Sequence, residues 1–437
     1  MGLAPQACPG APLIPRLIAG VTRHRVFSLY VLSLLWLVAS FVIFCVSAGR
    51  ELRNVLLLVA LVSGVVLCYI VFWRGLCRIV PSLESSAAPD TERHLTAGQQ
   101  RLLLGLVIAY LSIVAVHFLL LGRIPLFEAL FQSSEMGVSV VRQEGYFGLP
   151  IAWRYASDYC AKAFGPTLLL IAYYYRSRLF WVALVIGGFY SLALFARILP
   201  VFLLSPLVIY MGFQRRWMHL ALTLALMISL VLASTAVSSP TIRESMQYQE
   251  PVVTLSDKER VLVSDYVVPR DDWRRSSAVY ALYERALLVP GQVIDQWFYY
   301  YRDPGLREAG CGYRLLAGLL GCEYVPIPSK LYTAFYHDNV SQGMRGSLNA
   351  ASFMTEYANF GPVGFLLSSL LGAGLFAIIM LIYRDHPLAL PLNLVLIVAA
   401  METSLVTAVN SGAGWLLTTA LFIIFFRLQK AEHERKR

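Results

Sequence analysis

The stretch from residue 55 to residue 73 reads VLLLVALVSGVVLCYIVFW and contains no charged side chain. A helix crosses the hydrocarbon core of a bilayer with about 20 apolar residues, whereas a membrane strand needs only about 10. The run therefore favours a transmembrane helix. The whole chain agrees, because its 437 residues are 58% hydrophobic and only 14% charged, against about 25% charged residues in soluble domains.

Ten apolar runs of this kind recur along the chain. They predict an all-α integral membrane protein with about ten, and up to twelve, transmembrane helices. The runs lie at 27–48, 55–73, 103–121, 161–175, 179–196, 198–213, 217–237, 362–383, 388–408 and 411–426. An even number of crossings places both termini on the same side of the membrane.

The net charge of +10 is explained by where the charges lie along the chain. With ten crossings, the segments on the side of the termini carry 17 Lys and Arg against 6 Asp and Glu. These segments are 1–26, 74–102, 176–178, 214–216, 384–386 and 427–437. Such an excess of Lys and Arg marks cytoplasmic segments. We therefore expect both termini in the cytoplasm, and we expect no nucleic-acid partner.

A long polar insert at 238–361 divides the chain into three predicted regions. Region 1–237 is a helix bundle with an outer loop at 122–160, region 238–361 is a large outer loop, and region 362–437 is a second bundle with a cytoplasmic tail. The large loop holds ten Arg and two Lys against fourteen acidic residues, so a general attraction of anions is not expected. The preference for Arg over Lys favours phosphate binding, because a guanidinium binds phosphate oxygens in pairs.

Apolar residues recur at helical spacing between 278 and 301, and Pro290 and Gly291 interrupt the pattern. This pattern predicts two short amphipathic helices on the membrane surface. Trp297 and the tyrosines at 299–301 would then lie at the level of the lipid headgroups.

Cys311 and Cys322 close a small loop in the same region. They form a disulfide if the loop faces an oxidising compartment, or they remain free thiols, and the sequence leaves both alternatives open. No spacing of Cys and His along the chain resembles a metal site.

His337 is the histidine that the predicted topology places outside the membrane among polar neighbours. A histidine titrates near neutral pH and can take a proton from a sugar hydroxyl, whereas an exposed loop histidine needs no chemical role. His117 lies in an apolar run, and we interpret it as a packing residue. Glu402 falls inside the run 388–408, where it either pairs with an arginine or marks a proton path.

A polar motif leads from the outer loop into the run at 362–383. Residues 337–339 read HDN, and residues 356–364 read EYANFGPVG. This pattern resembles the periplasmic-loop signature of bacterial O-antigen polymerases and ligases, in which a His-Asn element precedes an acidic residue and Gly-x-x-Gly at the top of a helix. The NFG form at 359–361 and the segment around Arg285 are more similar to the polymerases than to the ligases.

The resemblance implies a GT-C-like glycosyltransferase in the bacterial inner membrane. It implies that undecaprenyl-pyrophosphate-linked oligosaccharide repeat units are polymerised into O-antigen, or a related surface polysaccharide, at the periplasmic face without a metal or cofactor. The implied partners are the lipid-linked donor and acceptor, membrane lipids, a chain-length regulator and a flippase. The alternatives are a ligase, which transfers the glycan to lipid A-core, and a transporter of lipid-linked oligosaccharides.

The resemblance also implies roles for polar residues of the two outer loops. His337 would be the general base, with Glu356 as the alternative. Arginines would bind the pyrophosphate in place of a metal, and other polar residues would orient the sugars. The predicted substrate-binding residues are Arg142, Arg154, Arg197, Arg285, Asn339, Arg345, Tyr357 and Asn359.

Polymerases of this class also carry an Arg-x10-Gly pattern in two periplasmic loops. The pattern fits from Arg154 to Gly165 and from Arg307 to Gly318. Because about one such match is expected by chance, we select Arg154 for its position in the loop 122–160.

Overall fold

The structure is a computed structural model that describes residues 24–79, 95–131, 141, 145, 148–194, 196, 198–238, 266, 283–337, 340, 346–383 and 386–427. Every regular element within these ranges is a helix. In chain order the α-helices are α1 (Arg25–Ser47), α2 (Val55–Ile79), α3 (Ala97–Leu121), α4 (Pro125–Phe131), α5 (Ile151–Tyr159), α6 (Gly165–Tyr174), α7 (Leu179–Ala193), α8 (Leu199–Phe213), α9 (Trp217–Ser238), α10 (Val289–Tyr301), α11 (Arg314–Leu320), α12 (Ile327–Phe335), α13 (Ser352–Phe360), α14 (Pro362–Tyr383), α15 (Ala389–Ala400), α16 (Leu405–Thr407) and α17 (Trp415–Phe422). Shorter helical stretches are the π-helical turns Cys160–Phe164, Glu284–Leu288, Ala408–Gly412 and Ile423–Arg427 and the 3-10 turn Pro304–Leu306.

Among the described helices, five are long and apolar enough to cross a membrane. These are α1, α2, α3, α14 and the stretch Trp217–Ser234 of α9. The helices α7, α8, α15 and Trp415–Phe426 are apolar but shorter. An apolar helix can lie in lipid because its backbone hydrogen bonds are satisfied within the helix. The predicted class, an α-helical membrane protein, is confirmed, and the predicted number of crossings stays a prediction.

The predicted fourth span is the second half of a longer helix. α5 passes through the π-helical turn Cys160–Phe164 into α6 without a break, so the helix extends from Ile151 to Tyr174. The predicted start is too late because charged residues interrupt the apolar run. Lys162 donates to Asp158 Oδ2 at 3.0 Å, one turn earlier, so the two charges stabilise the helix. In the sequence the same charges interrupt the apolar pattern.

The predicted ninth span, 388–408, is wrong as a single helix. α15 ends at Ala400, and the chain turns before α16 begins. Ser404 accepts a hydrogen bond from Thr407 N at 3.2 Å, which is a typical way to cap a helix start. Glu402 is therefore exposed in a turn rather than placed inside a span.

α1, α2 and α14 pack against one another. Gly64 of α2 leaves room for Ser369 of α14, whose hydroxyl donates to the carbonyl of Leu61 at 3.3 Å. Tyr30 of α1 stacks on Phe376 of α14, with ring centroids 4.2 Å apart. Small residues at helix crossings allow this close approach in membrane proteins. The contacts fix α14, whose N-terminal end carries the predicted motif.

Residues 283–301 of the amphipathic segment form one helix, so the prediction of two helices separated at Pro290 and Gly291 is wrong. The π-helical turn Glu284–Leu288 leads directly into α10, and Pro290 lies in the first turn of α10. Gly291 lies against the carbonyl of Ser40 in α1, where a Cβ would not fit. Ser40 Oγ also donates to Leu287 O at 2.5 Å. Pro290 and Gly291 therefore do not interrupt a helix. Pro290 lies in the first turn of α10, and Gly291 allows α10 to pack closely against α1.

The aromatic residues of α10 face the protein interior. Trp297, Tyr300 and Tyr301 are fully buried, and Trp297 Nε1 donates to Leu348 O at 3.0 Å. The predicted position at the lipid headgroups is therefore wrong for these three residues. Tyr299 is half-buried. A run of Trp and Tyr cannot distinguish the two settings by itself, because both a protein core and a membrane interface favour these side chains.

Candidate active site

α13 carries the acidic part of the motif and folds back along α14. The turn between them depends on Gly361, whose φ of +63° is costly for a residue with a Cβ. Gly364 lies against the carbonyl of Glu356, where a Cβ would not fit. Tyr357 stacks on Phe365 with ring centroids 5.3 Å apart. The Gly-x-x-Gly pattern thus permits a tight helical hairpin that fixes the position of Glu356.

Glu356 is a buried carboxylate with one open hydrogen-bonding position. The residue is 1% exposed, and the Tyr313 hydroxyl donates to its Oε1 at 2.6 Å. Its Oε2 is buried and has no hydrogen-bond partner among the described residues. Burial raises the pKa of Glu356 to about 7, and the hydrogen bond from Tyr313 opposes this rise. A carboxylate that titrates near neutral pH is suited to general acid or base chemistry.

A disulfide-bonded loop holds Tyr313 over Glu356. Cys311 and Cys322 form a disulfide, which decides between the two alternatives that the sequence left open. Tyr313 lies inside the closed loop, directly before α11. The disulfide restricts the conformations that this loop can adopt. Tyr313 can therefore leave the carboxylate only if the whole loop moves.

Asn359 ties the same loop to α13. Its Oδ1 accepts hydrogen bonds from Gly310 N at 3.0 Å and Gly312 N at 3.1 Å, and its Nδ2 donates to Thr355 O at 2.8 Å. Asn359 is also 2% exposed. In the structure Asn359 positions the loop that carries Tyr313, and its binding of substrate stays a prediction.

Arg307 packs against the Gly361 turn. A Cβ on Gly361 would collide with the Arg307 guanidinium, and Arg307 Nε is buried without a hydrogen-bond partner among the described residues. Burial raises the pKa of Tyr357, and the positive charges of Arg307 and Arg53 oppose this rise. Two guanidinium groups therefore interact electrostatically with the phenol of Tyr357, the residue after Glu356. Tyr357 belonged to the predicted set, whereas Arg307 and Arg53 did not.

One sequence signal could have identified Arg307, namely the second Arg-x10-Gly match, which ends at Gly318. The glycine of that match has open space at its Cβ position, so the structure does not require a glycine there. Arg53 lies just before α2 and carries no such signal, because its proximity to Tyr357 arises only from the packing of helices distant in sequence.

A second buried carboxylate, Glu308, is paired with a cation. Tyr301 OH donates to Glu308 Oε1 at 3.0 Å, and Lys330 Nζ donates to the same oxygen at 3.1 Å. Glu308 N donates to Ala358 O at 3.0 Å, at the end of α13. This residue therefore joins α10, α12 and α13, and the Lys330 charge compensates its burial.

His337 follows α12 and is exposed. None of the hydrogen bonds described between residues 283–337 and 346–383 joins it to Glu356. α12 supports the chain that enters α13, since Leu348 N donates to Pro328 O at 2.9 Å. The role of His337 as the general base stays a prediction.

Two of the predicted arginines, Arg154 and Arg285, lie within the described residues. Arg285 is exposed in the π-helical turn before α10, and Arg154 Nε donates to Leu149 O at 2.7 Å. The other predicted binding residues, Arg142, Arg197, Asn339 and Arg345, lie outside the described residues.

α5, which carries Arg154, contacts the segment between α15 and α17. Tyr159 OH donates to Asn410 Oδ1, and Gly414, with φ +57°, lies against the Tyr159 ring. Lys162 acts electrostatically on the Glu402 carboxylate. The first outer loop and the second bundle are therefore in contact, and the charge facing Glu402 here is a lysine.

His117 is satisfied inside the bundle, which confirms its interpretation as a packing residue. The residue is fully buried. Its Nδ1 lies 2.7 Å from Ser157 Oγ and 2.9 Å from the Tyr190 hydroxyl, and its Nε2 lies 3.2 Å from Gly145 O. All polar positions of the ring are thereby used within the protein.

Comparison of the chain with protein-family models, with curated proteins and with solved structures found no match. Within the described ranges, no three His, Cys, Asp or Glu side chains lie together in a way that could hold a metal ion. The chemistry of the site is therefore argued from Glu356, the tyrosines beside it and the two arginines near Tyr357.

Proposed function

We propose that this chain is a membrane glycosyltransferase of the O-antigen polymerase class, which joins undecaprenyl-pyrophosphate-linked oligosaccharide repeat units. The observation that carries the proposal is Glu356, a buried carboxylate with a pKa of about 7 and one oxygen without a partner among the described residues. In this proposal the chain crosses the bacterial inner membrane about ten times in a GT-C-like arrangement. Its termini are cytoplasmic, and Glu356 faces the periplasmic side.

The proposed reaction transfers a growing glycan from one lipid carrier to the terminal sugar of another. The acceptor hydroxyl oxygen attacks the anomeric carbon of the donor, and the bond from this carbon to the pyrophosphate oxygen breaks. Glu356 Oε2 takes the hydroxyl proton, and the lipid pyrophosphate leaves with the bonding electron pair. A positioned base of this kind contributes about 10²- to 10⁴-fold to a rate.

Arg307 and Arg53 would stabilise the leaving pyrophosphate. The positive charges of both arginines lower the pKa of Tyr357, which is the residue after the proposed base. Arg307 Nε has no hydrogen-bond partner among the described residues. A guanidinium stays charged at physiological pH and offers paired donors to phosphate oxygens. The remaining predicted residues, including His337 and Arg154, are candidates for holding the two glycans.

Access to Glu356 requires a movement of the disulfide-bonded loop. Tyr313 donates to the carboxylate from inside the Cys311–Cys322 loop, and the carboxylate is buried in this arrangement. Binding of a lipid-linked acceptor would displace Tyr313 and bring a sugar hydroxyl to Oε2.

The test is complementation of a chromosomal deletion, read on a lipopolysaccharide gel. We expect Glu356→Gln to abolish the long ladder and to leave core with a single repeat unit, because glutamine keeps the shape but cannot take the proton. His337→Ala is compared in parallel as the alternative base. Glu323→Gln is the matched control, since Glu323 is exposed in the chain that follows the disulfide. Each variant is quantified in the membrane with an epitope tag.

The outcomes separate the alternatives. An intact ladder with Glu356→Gln would overturn Glu356 as the base, and loss of the ladder with His337→Ala alone would assign that role to His337. Core without any repeat unit would indicate a ligase instead of a polymerase. Accumulation of repeat units on the cytoplasmic side would indicate a transporter.

A further inference from the structure

A cavity of about 380 Å³ lies between α6, α7, α8 and α9. The ring of Tyr174, at the end of α6, lies 5.7 Å from the ring of His386, which follows the C-terminal end of α14, whereas Glu356 lies against Gly364 at the N-terminal end of α14. Its polar lining comes from Tyr173, Arg176, Ser177, Arg216, His219 and Thr223. Both short loops that carry these arginines belong to the segments that the charge pattern places in the cytoplasm. The cavity is therefore distinct from the site around α13.

The charged side chains of the four helices that line this cavity, and of the loops between them, have one sign. From residue 165 to residue 238 the sequence contains five arginines and no Asp or Glu. Four of these arginines, at positions 176, 178, 215 and 216, lie in the two short loops. A ligand that contacts these loops meets no acidic side chain from the helices that line the cavity, so an anion is favoured.

The two loops have the same backbone design, and each places an arginine in the left-handed region. Arg176 and Arg215 both have a φ of +52°. Each turn closes in the same way, because Ser177 N donates to Ala172 O at 2.9 Å and Arg216 N donates to Met211 O at 3.0 Å. Glycine is the usual residue at this position after a helix, since it adopts that φ without strain. An arginine there costs stability, but this strain alone assigns no use to the side chain, since Arg215 has the same φ and does not line the cavity.

Arg216 is already oriented toward the cavity. Its Nη1 donates to the Tyr173 hydroxyl at 3.3 Å, and its guanidinium carbon lies 5.8 Å from the centre of the Tyr173 ring. His219 contacts the same ring, with centroids 6.4 Å apart. The guanidinium keeps further N–H donors for a ligand, because one bond to a hydroxyl uses only one of five.

The other wall of the cavity is apolar and faces the predicted lipid. Leu184, Leu222 and Leu226 line it, and Trp181 stands at its edge. Trp181 is 67% exposed and Leu222 is 63% exposed. A soluble phosphate would leave this wall uncovered, whereas an acyl chain would bury it.

We propose that the cavity binds one anionic glycerophospholipid of the cytoplasmic leaflet. Its phosphate contacts Arg176 and Arg216, with His219 beside them, and an acyl chain covers Leu184, Leu222 and Leu226. Basic pockets between transmembrane helices on the cytoplasmic side commonly hold anionic headgroups. The bound lipid would join the α6–α7 turn to the α8–α9 turn. This proposal does not depend on the function proposed for Glu356.

The test uses the purified full-length chain and native mass spectrometry with phosphatidylglycerol and phosphatidylcholine. We expect one phosphatidylglycerol to bind at least about tenfold more tightly than phosphatidylcholine, because both lipids carry a phosphate but the choline cation of phosphatidylcholine is repelled by Arg176 and Arg216. The variant Arg176→Gly with Arg216→Gln should lose this preference. Arg176→Gly alone should lose about tenfold in affinity and remain folded, because glycine suits the φ of this position.

Arg215→Gly is the matched control. Arg215 has the same φ and the same type of turn, but it does not line the cavity. It should therefore keep the preference for phosphatidylglycerol. Equal binding of the two lipids by the wild-type chain would overturn the proposal. So would an equal loss with Arg215→Gly, or binding of glycerol 3-phosphate as tight as that of the whole lipid, which would show recognition of a free phosphate.

Discussion

The loop residue Glu308 and the helix residue Glu356 are both buried, but they differ in what compensates their charge. Glu308 accepts hydrogen bonds from Tyr301 and from the Lys330 ammonium. Glu356 accepts one from Tyr313, and its other oxygen has no partner among the described residues. The cation beside Glu308 compensates the buried charge, whereas burial without such a cation raises the pKa of Glu356 to about 7. The first arrangement stabilises a fold, and the second suits proton transfer.

The largest expected effect comes from removing the cation beside Glu308. Lys330→Met leaves the Tyr301 hydroxyl as the described partner of Glu308 Oε1, so it makes the Glu308 region similar to the Glu356 region. We expect the free energy of unfolding to fall by about 3–5 kcal/mol, the usual cost of a broken buried ion pair. Thermal unfolding of the purified chain in detergent measures this loss.

The control is the double variant Lys330→Met with Glu308→Gln. It removes the uncompensated charge as well, so it should recover a large part of the lost stability. A single variant that unfolds like the wild type would show that the pair contributes nothing. The comparison between the two carboxylates would then lose its physical basis.

The next effect concerns the pH dependence of unfolding. Burial raises the pKa of Glu356 from an ordinary value of 4.5 to about 7. Between these values the folded state holds a proton that the unfolded state has released, so the free energy of unfolding falls as the pH rises. The total fall is about 3 kcal/mol between pH 4.5 and pH 7. Glu356→Gln should remove it, and the exposed control Glu323→Gln should keep it.

Several parts of this molecule follow from the sequence, because they depend on local patterns. The apolar runs predict the helical membrane class, and the Gly-x-x-Gly motif predicts a tight entry into α14. Both depend on residues close together in the chain. Gly361 needs its left-handed backbone, and Gly364 needs contact with the carbonyl of Glu356, and both requirements appear directly as glycine in the motif.

The parts that the sequence did not show depend on contacts between distant segments. The sequence of α10, with its Trp and Tyr residues, predicts a position at the membrane interface. The contact of Gly291 with α1 is visible only in the structure. Arg53 and Tyr357 are separated by about 300 residues in the chain. Only the packing of the helices brings the guanidinium of Arg53 near the phenol of Tyr357. The charge balance of buried groups also depends on the fold. The sequence does not indicate that Glu308 pairs with a lysine while Glu356 has no lysine partner among the described residues.

Tyr313→Phe sharpens the comparison at Glu356 itself. The Tyr313 hydroxyl stabilises the charged carboxylate, so its removal should raise the pKa of Glu356 further. A hydrogen bond to a charged group contributes about 1.5–3 kcal/mol, which corresponds to about one to two pKa units. If Glu356 is the base, the pH midpoint of kcat/KM for polymer synthesis in membranes, which reports the free enzyme, should move upward from about 7 by this amount. An unchanged midpoint would mean that the bond is absent in the free enzyme.

Tyr301→Phe is the matched change at Glu308, and its expected effect is the smallest. It removes one hydroxyl donor from Glu308 Oε1 but leaves the Lys330 ammonium at 3.1 Å. Because the cation still compensates the charge, the free energy of unfolding should fall by only about 1 kcal/mol. The pH midpoint of polymer synthesis should stay where it is in the wild type. If Tyr301→Phe moved that midpoint as far as Tyr313→Phe does, the two carboxylates would respond as one coupled group, and the assignment of separate roles to Glu308 and Glu356 would fail.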